Sequence, residues 1–600
     1  MATAEKEGEE EEEEEERASC PSRPRLRPNI TPRPPVSRPR GIRPHQLGGL
    51  HLATPDSKYE TYACRVDMDQ GDRSVDIALF SWARPHMRAF HFSWGGFFIA
   101  FCAWFAIAPL LSEIQVSLDI TKAQIWTSSI FAVAGTIPAR ILNGPLCDKY
   151  GARWVMGATL ILVGIPTMAT GLVSSSTGLS ILRFVIGIGG SAFVTCQYWT
   201  SSMFTPEVAG TALALVGGWG NLGGGVSMVV VGSVLFPLFK LLYGEIDTGE
   251  SKAASVAAVM GEEDTFAAVT ATTTPADRAW RTVCIIPGLM AIVYGFIVVR
   301  YSDDCPKGNY RKRKRLGIMP SVSAWESMKA AAAERDTWLL FIQYACCFGV
   351  ELTITNGAAL YFKEEFGLNT ESAAAIASVF GWVNIFARGM GGFVSDIANA
   401  NCGMRGRLVV QSIVILLEGL TIIAFGYAQT LAGSIATLTV ASVFVQSSEG
   451  STFAIVPYIR PYVTGSISGI IGAGGTLGGV IFSLLFRQMD YRHAFIIMGC
   501  AVMASSVLTI FVYVRGHAGM FYGRDHPNVE ERRIARRAPL TQGAGAPGAG
   551  VQEEPPSASV PGTMDLSLLS ALDPKVEADV HVNVDELADA REPAAEVTQK

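Results

Sequence analysis

Twelve long apolar runs between about residue 90 and residue 516 restrict what this chain can fold into more than any other feature. They cover roughly 90–111, 125–146, 153–173, 177–199, 209–240, 280–300, 337–361, 372–395, 408–428, 431–455, 463–487 and 494–516. At 1.5 Å rise per residue, each is long enough as a helix to cross a hydrocarbon core of about 30 Å. Charged residues make up only 17% of the 600-residue chain, and many of them lie in its two tails. The pattern predicts an all-α polytopic membrane protein with twelve transmembrane helices.

The flanks read differently. Glu9 to Glu16 is an unbroken acidic block, and "RPRLRPNITPRPPVSRPR" follows it, so residues 1–75 are expected to be a disordered tail, acidic and then Pro/Arg-rich. Residues 517–600, with "GAGAPGAG" and "EEPPSASVPG", are expected to be a second disordered tail. The N-terminus has neither the apolar core nor the small-residue site of a cleavable signal peptide. The 11 cysteines show no metal-ligand or redox spacing and read as packing residues.

Loop charge sets the orientation. "DKYGARW", "RYSDDCPKGNYRKRKRLG", "GMRGRL" and "IRPY" alternate along the chain with less basic loops such as "SSSTGLS", "YAQTLAG" and the long acidic loop 241–279. The positive-inside rule then places both termini and the 301–336 linker in the cytoplasm.

The chain also repeats itself. "RILNGPLCD" (Arg140–Asp148) and "RGMGGFVSD" (Arg388–Asp396) share the spacing R-x-x-x-G-x-x-x-D. Positions i, i+4 and i+8 fall nearly on one helix face, so Arg140, Gly144 and Asp148 form one stripe and Arg388, Gly392 and Asp396 another. "GNLGG" (220–224) and "GTLGG" (475–479) are a second matched pair. Residues 76–300 and 337–516 therefore read as two six-helix lobes, the plan of a two-lobed secondary transporter.

With Asp148 at a helix end, Arg140 lies about 12 Å further in, near mid-membrane, and Arg388 lies at the same depth. An arginine at that depth costs a few kcal/mol or more unless it faces protein or a wet cavity. Two readings follow. Each arginine could be a structural partner for a carboxylate such as Glu351, Glu418 or Glu449, or the two could converge on an anionic substrate at the pseudo-twofold axis.

Longer motifs then supply a resemblance. "GPLCDKYGARW" (144–154) resembles the loop between helices 2 and 3 of the major facilitator superfamily. "GIGGSAFVTCQYWTSSMF" (187–204) and "GIIGAGGTLGG" (469–479) resemble the paired signatures of its nitrate/nitrite porter family. "ARPHMRAFHFSW", "DTWLLFIQYACCFGVEL" and "FARGMGGFVSDIANANCGMRGRL" resemble the plant, algal and fungal branch. The resemblance covers about 75–516 and implies the major facilitator fold, with two pseudo-symmetric lobes.

By that resemblance Arg140 and Arg388 match the substrate-binding pair, and Asn221, Tyr344, Phe193 and Phe348 match polar and aromatic contacts. Gly217 and Gly472 match glycines where backbone approaches substrate, and Phe101 is the expected aromatic of helix 1. Gly144, Asp148, Gly151 and Arg153, with Gly392 and Asp396, match the conformational motif. Glu351 is an intramembrane carboxylate and so a candidate proton carrier or an arginine counter-ion. The implied function is uptake of nitrate, and of nitrite, by proton symport at the plasma membrane, with a chloroplast envelope location as the alternative. A small single-span accessory protein is an implied partner. Nitrate/nitrite exchange, or a nitrate sensor that transports little, are the alternatives. The sequence carries no nucleophile triad, Walker loop, dinucleotide loop or metal cluster, so an enzyme, an ATP-driven pump, a cofactor and nucleic acid are not expected.

Overall fold

In the computed structural model, the structure describes residues 51–244, 274–316 and 323–527, together with Glu530. All belong to one compact unit, Met1–Arg537. The acidic block, the Pro/Arg-rich stretch, most of the 241–279 loop and nearly all of the C-terminal tail lie outside the described residues.

Among the described residues, twelve helices are long and apolar enough to cross a membrane. They are α1 His86–Ser117, α2 Lys122–Tyr150, α3 Ala152–Leu172, α4 Ser176–Met203, α5 Pro206–Gly244 and α6 Pro275–Tyr301. The second set is α7 Arg335–Phe366, α8 Glu371–Cys402, α9 Met404–Gly426, α10 Leu431–Ile459, α11 Pro461–Gln488 and α12 Tyr491–Phe511. All twelve expected spans are present. The helical form follows from the solvent, because lipid offers no partner for backbone N–H and C=O groups and the segment must satisfy its own. Large apolar side chains such as Ile165, Phe296, Leu420 and Ile497 stay exposed on the outward faces of α3, α6, α9 and α12, as a lipid-facing surface requires.

The two ends of the bundle are finished differently. Every even-numbered helix opens on a side-chain cap: Thr121, Ser175, Thr274, Asn369, Thr430 and Asp490 each accept a hydrogen bond from a backbone N–H three residues on. Such caps satisfy N–H groups that the helix leaves free and are each worth about 1 kcal/mol. At the other end, where the linker lies, the odd helices lack these caps. There Gly151 (φ 90°) and Gly403 (φ 65°) turn the chain between α2 and α3 and between α8 and α9. A side chain is strained at such positive φ, so glycine is required at both repeat-equivalent corners.

Packing repeats the internal symmetry. Gly164 lies against Gly288 where α3 meets α6, and Gly419 against Gly499 where α9 meets α12. The lobes meet along α2 with α11 and α5 with α8. At the linker end a Cβ on Gly144 would stand 2.5 Å from the Gly465 carbonyl oxygen, and one on Gly392 would stand 2.3 Å from that of Gly210. At the opposite end Gly225 is pressed on Gly381, and Trp126 of α2 covers Gly357 of α7. The seam is in contact at both ends.

Two parts of the expected tails are folded. Residues 51–75, read as disordered from sequence, form two short antiparallel hairpins, β1 (His51–Leu52) with β2 (Thr61–Tyr62) and β3 (Val66–Asp67) with β4 (Arg73–Ser74). Their anchor is Asp72, fully buried, which accepts hydrogen bonds from the Thr54 hydroxyl (2.6 Å) and the Tyr62 hydroxyl (3.0 Å). Lys58 and Arg84 both pair with Asp303 of the linker, and Lys307 and Arg313 pair with Asp56. Two-residue strands carry no readable periodicity, and the ion pairs that dock them on the linker join residues more than two hundred positions apart, so local pattern could not reveal them. After α12 the chain also continues to pack, with Ala518 and Met520 buried and Arg405 Nε donating to the Gly519 carbonyl. The linker itself forms short helices at Tyr310–Arg315 and Ala324–Ala332.

Asp72→Ala removes the acceptor that ties the Thr54 and Tyr62 hydroxyls together, leaving Thr54 to Asp56 and Tyr62 to Ser57 and the Pro306 carbonyl, at about 1–3 kcal/mol for the lost hydrogen bonds to the carboxylate. The expected outcome is faster limited proteolysis within 51–75 of the detergent-purified protein, with the helical core still resistant.

Candidate functional site

Midway between the two sealed ends, side chains from both lobes close on one aromatic ring. Phe193 of α4 is fully buried and nearly parallel to Tyr344 (5.9 Å, 13°) and Phe348 (6.0 Å, 14°) of α7. Tyr344 and Phe348 also stack on each other at 5.3 Å, while Phe453 of α10 stands edge-on to Phe193 and Tyr344. Both expected arginines reach this cluster. The Arg140 guanidinium carbon lies 5.0 Å from the Phe193 centroid and 4.5 Å from that of Phe348, and Arg388 lies 5.3 Å from Phe193. A cation over a ring face is attracted by the ring quadrupole, and more strongly when both are dry.

The arginines are placed alike but partnered differently. Arg140 Nε donates to the Gly190 carbonyl (3.0 Å) and Nη1 to the Gly472 carbonyl (2.7 Å). Its Nη2 is buried without a hydrogen-bond partner. Arg388 instead meets carboxylates: Nη1 is hydrogen-bonded to Glu449 of α10 and lies 3.6 Å from Glu351 of α7, while Nη2 donates to the Tyr344 hydroxyl (3.0 Å). Glu351 is held from two sides, by Asn221 Nδ2 of α5 (2.8 Å) and Asn384 Nδ2 of α8 (3.0 Å). The carbonyl-type oxygens of Asn221, Asn384 and Gln197 and the second oxygen of Glu449 are buried without partners. Glycines permit these approaches. A Cβ on Gly217 would lie 2.7 Å from Arg388 Nε, and one on Gly475 would lie 2.8 Å from both Tyr344 and Phe348.

A profile described as the Major Facilitator Superfamily matches residues 93–459. High affinity nitrate transporter 2.5 of Arabidopsis thaliana is 34% identical over 81% of this chain and 90% of its own length. Nitrate transporter 2.2 of Chlamydomonas reinhardtii is 31% identical over 79% and 87%, and the nitrate/nitrite transporter NrtP of Nostoc punctiforme is 25% identical over 72% and 93%. The chain belongs to the nitrate/nitrite porter family of the major facilitator superfamily. Among solved structures, a bacterial homolog of the human lysosomal transporter Spinster, inward-facing and unoccupied, aligns with a TM-score of 0.48 at 14% identity, over 71% of this chain and 95% of that one. Like the family it belongs to, the protein is a multi-pass membrane transporter and not an enzyme.

In this porter Arg140, Arg388, Asn221, Tyr344, Phe193, Phe348, Gly217, Gly472 and Glu351 are brought together at the centre. Phe101 is not beside them: it packs on Phe97 (4.4 Å), Trp104 and Phe105, and Phe97 is the α1 aromatic that faces Phe193, at 5.5 Å. One helical turn separates the two on the same face, and only the position of α1 along its axis in the bundle chooses between them. Asn384 and Phe453 lie in no motif of the sequence, although Asn384 is one turn before Arg388 and its polarity in an apolar span was a usable signal; Gly475 opens the repeated "GTLGG" but its place under Tyr344 and Phe348 is not written there.

The conformational stripes lie at the linker end. Asp148 accepts from Ser327 of the linker (2.8 Å) and Ser466 of α11 (3.0 Å), whereas Asp396 pairs with Arg407 (2.7 Å) and accepts from the Thr211 N–H and hydroxyl of α5 (each 2.6 Å). Arg153 docks on Asp304, at 3.8 Å, and a Cβ on Gly151 would strike that carboxylate. Burial pushes the Asp304 carboxyl up to about 6, against the pull of Arg153.

Gly217→Val would drive two methyls into Arg388. Substrate affinity is expected to fall at least tenfold in direct binding to the purified protein, with membrane expression unchanged.

Proposed function

We propose that this porter takes up nitrate, and nitrite with it, by proton symport across the plasma membrane, the linker lying on the cytoplasmic side. The observation that carries the reading is the meeting of two guanidinium groups over one buried aromatic ring, one of them with a spare N–H. Nitrate is planar, singly charged and weakly hydrated. A guanidinium matches it in shape and hydration and offers paired donors, while the aromatic stack around Phe193 supplies flat walls that a tetrahedral anion fills poorly. Arg140 is the receiving side, with Nη2 free to donate and backbone carbonyls holding the rest of the fork.

Charge counting links the anion to protons. Arg140 and Arg388 balance Glu351 and Glu449, so the empty chamber is neutral. Nitrate alone makes it −1 in a poorly screened interior, and one proton on either carboxylate restores neutrality. Each ligand therefore favours the other, which is coupling by linkage. Moving one negative charge into a cell that is negative inside costs about 2.3 kcal/mol per 100 mV. With both carboxylates protonated the loaded chamber is +1 and the potential assists uptake. Glu449 is the better first acceptor, since its proton releases Arg388 to face the anion. Glu418 of α9 is held by Ser448 (2.6 Å) and does not share this arginine. Alternating access follows as rocking of the lobes, which opens the glycine seam at one end while the other stays shut. The basic linker on the inner side supports the orientation, and an accessory single-span protein is a partner to test by co-expression.

Arg140→Lys and Arg388→Lys keep the charge but lose the planar fork. Each is expected to lower nitrate uptake at least a hundredfold in transport-deficient cells at equal surface expression. Wild-type kinetics in either variant would falsify the assignment.

Glu449→Gln preserves volume and removes the titrating group. Uptake by wild type is expected to rise as external pH falls from about 8 to 6 and that of the variant to stay flat, read as nitrate-evoked inward current. Outward current in wild type would exclude electrogenic proton symport.

A further inference from the structure

A third buried arginine lies outside this chamber. Arg183 of α4 is 2% exposed and sits seven residues before Gly190, on the same helix face and about 10 Å toward the capped end. Its Nη1 donates to the hydroxyls of Ser128 (2.8 Å) and Ser129 (3.0 Å) of α2, and its Nη2 to the Asn356 side-chain oxygen of α7 (3.3 Å). Among the described residues no carboxylate is within ion-pair distance of it. Its positive charge thus meets only neutral acceptors inside the membrane, unlike Arg388. Donors are in surplus around it, for the Trp126 indole N–H, one turn before Ser129 on α2, is buried without a partner.

A neutral glutamine could brace the same three groups without the several kcal/mol that burying a charge costs. The charge needs another explanation, and position supplies one. Ser129 and Arg140 are eleven residues apart on one face of α2, just as Arg183 and Gly190 share a face of α4, so a column leads from Arg183 to the chamber. On its other side Asn356 lines a narrow crevice of about 20 Å³ between Pro109–Ser112 and the turns of α7 that end at Lys363. The Arg183–Asn356 bond also crosses the lobe seam, from α4 to α7, and is the longest of the three.

We propose that Arg183, with Ser128, Ser129 and Asn356, is a second anion subsite on the outer side of the chamber, where a small monovalent oxyanion is held before it reaches Arg140. The anion enters by displacing the amide oxygen of Asn356, so that its arrival unlatches the seam at that end. The inference rests on the nitrate-uptake reading for its choice of anion and of outer face. Once the seam opens there, Arg183 loses its cross-lobe acceptor, and an anion restores what the guanidinium has lost.

The test uses full-length protein in proteoliposomes with nitrate at the capped face. Arg183→Gln is expected to raise KM at least tenfold with Vmax within twofold. Asn356→Asp keeps the arginine but gives it a permanent counter-ion, and should raise KM likewise; it decides the matter where Arg183→Gln fails to reach the membrane. An unchanged KM, or a loss confined to Vmax as a mere brace would give, overturns the subsite. Should wild type carry no nitrate, the uptake reading fails by itself, and calorimetric titration of the purified chain with nitrate decides the subsite separately. Two sites in wild type and one in Arg183→Gln support it, while equal stoichiometry or no binding overturns it.

Discussion

Burying Arg388 is the constraint on which the centre of this molecule depends. A guanidinium at that depth survives only if charge, hydrogen bonds and ring faces replace water around it. Glu449, Glu351, Tyr344 and Phe193 provide these from α10, α7 and α4, so one side chain of α8 ties helices from both lobes together. Glu351 in turn needs Asn221 and Asn384, and Gly217 must lack a side chain for Arg388 to lie where it does. Removing Glu449 or Glu351 leaves the buried guanidinium short of a counter-charge.

The repeat-equivalent Arg140 shows what the duplication did not preserve. It occupies the matching place on α2 but is held by two backbone carbonyls and two ring faces, and among the described residues no carboxylate is bonded to it. Arg388 thus has carboxylate partners, whereas Arg140 keeps an Nη2 without a hydrogen-bond partner among the described residues. The same divergence appears at the linker end, where Asp148 is met by serines and Asp396 by an arginine.

The glycines connect the site to the seam. Pairs such as Gly144 with Gly465 and Gly225 with Gly381 bring backbones into contact at opposite ends of the lobe boundary, with the charged chamber between them. Bulky side chains there would interlock the lobes; bare backbone leaves surfaces that can separate and re-form at little cost. Smooth seams and a dense polar centre occur together, with the glycine contacts at both ends of the lobe boundary and the buried charges between them.

Some of this was legible in the chain alone. Apolar runs determine the twelve spans because the bilayer admits few other structures, and the doubled arginine–glycine–aspartate stripe places Arg140 and Arg388 at one depth because helical rise is constant. Those are local rules, and they need no knowledge of neighbours. What only the tertiary structure decided depends on which helices meet and at what height and rotation: that Phe97 and not Phe101 faces Phe193, that Glu449 and not Glu418 takes Arg388, and that Arg183 meets no carboxylate among the described residues. The hairpins at 51–75 belong there too, since Lys58 and Asp56 are held by Asp303, Lys307 and Arg313, partners that no local window of sequence contains.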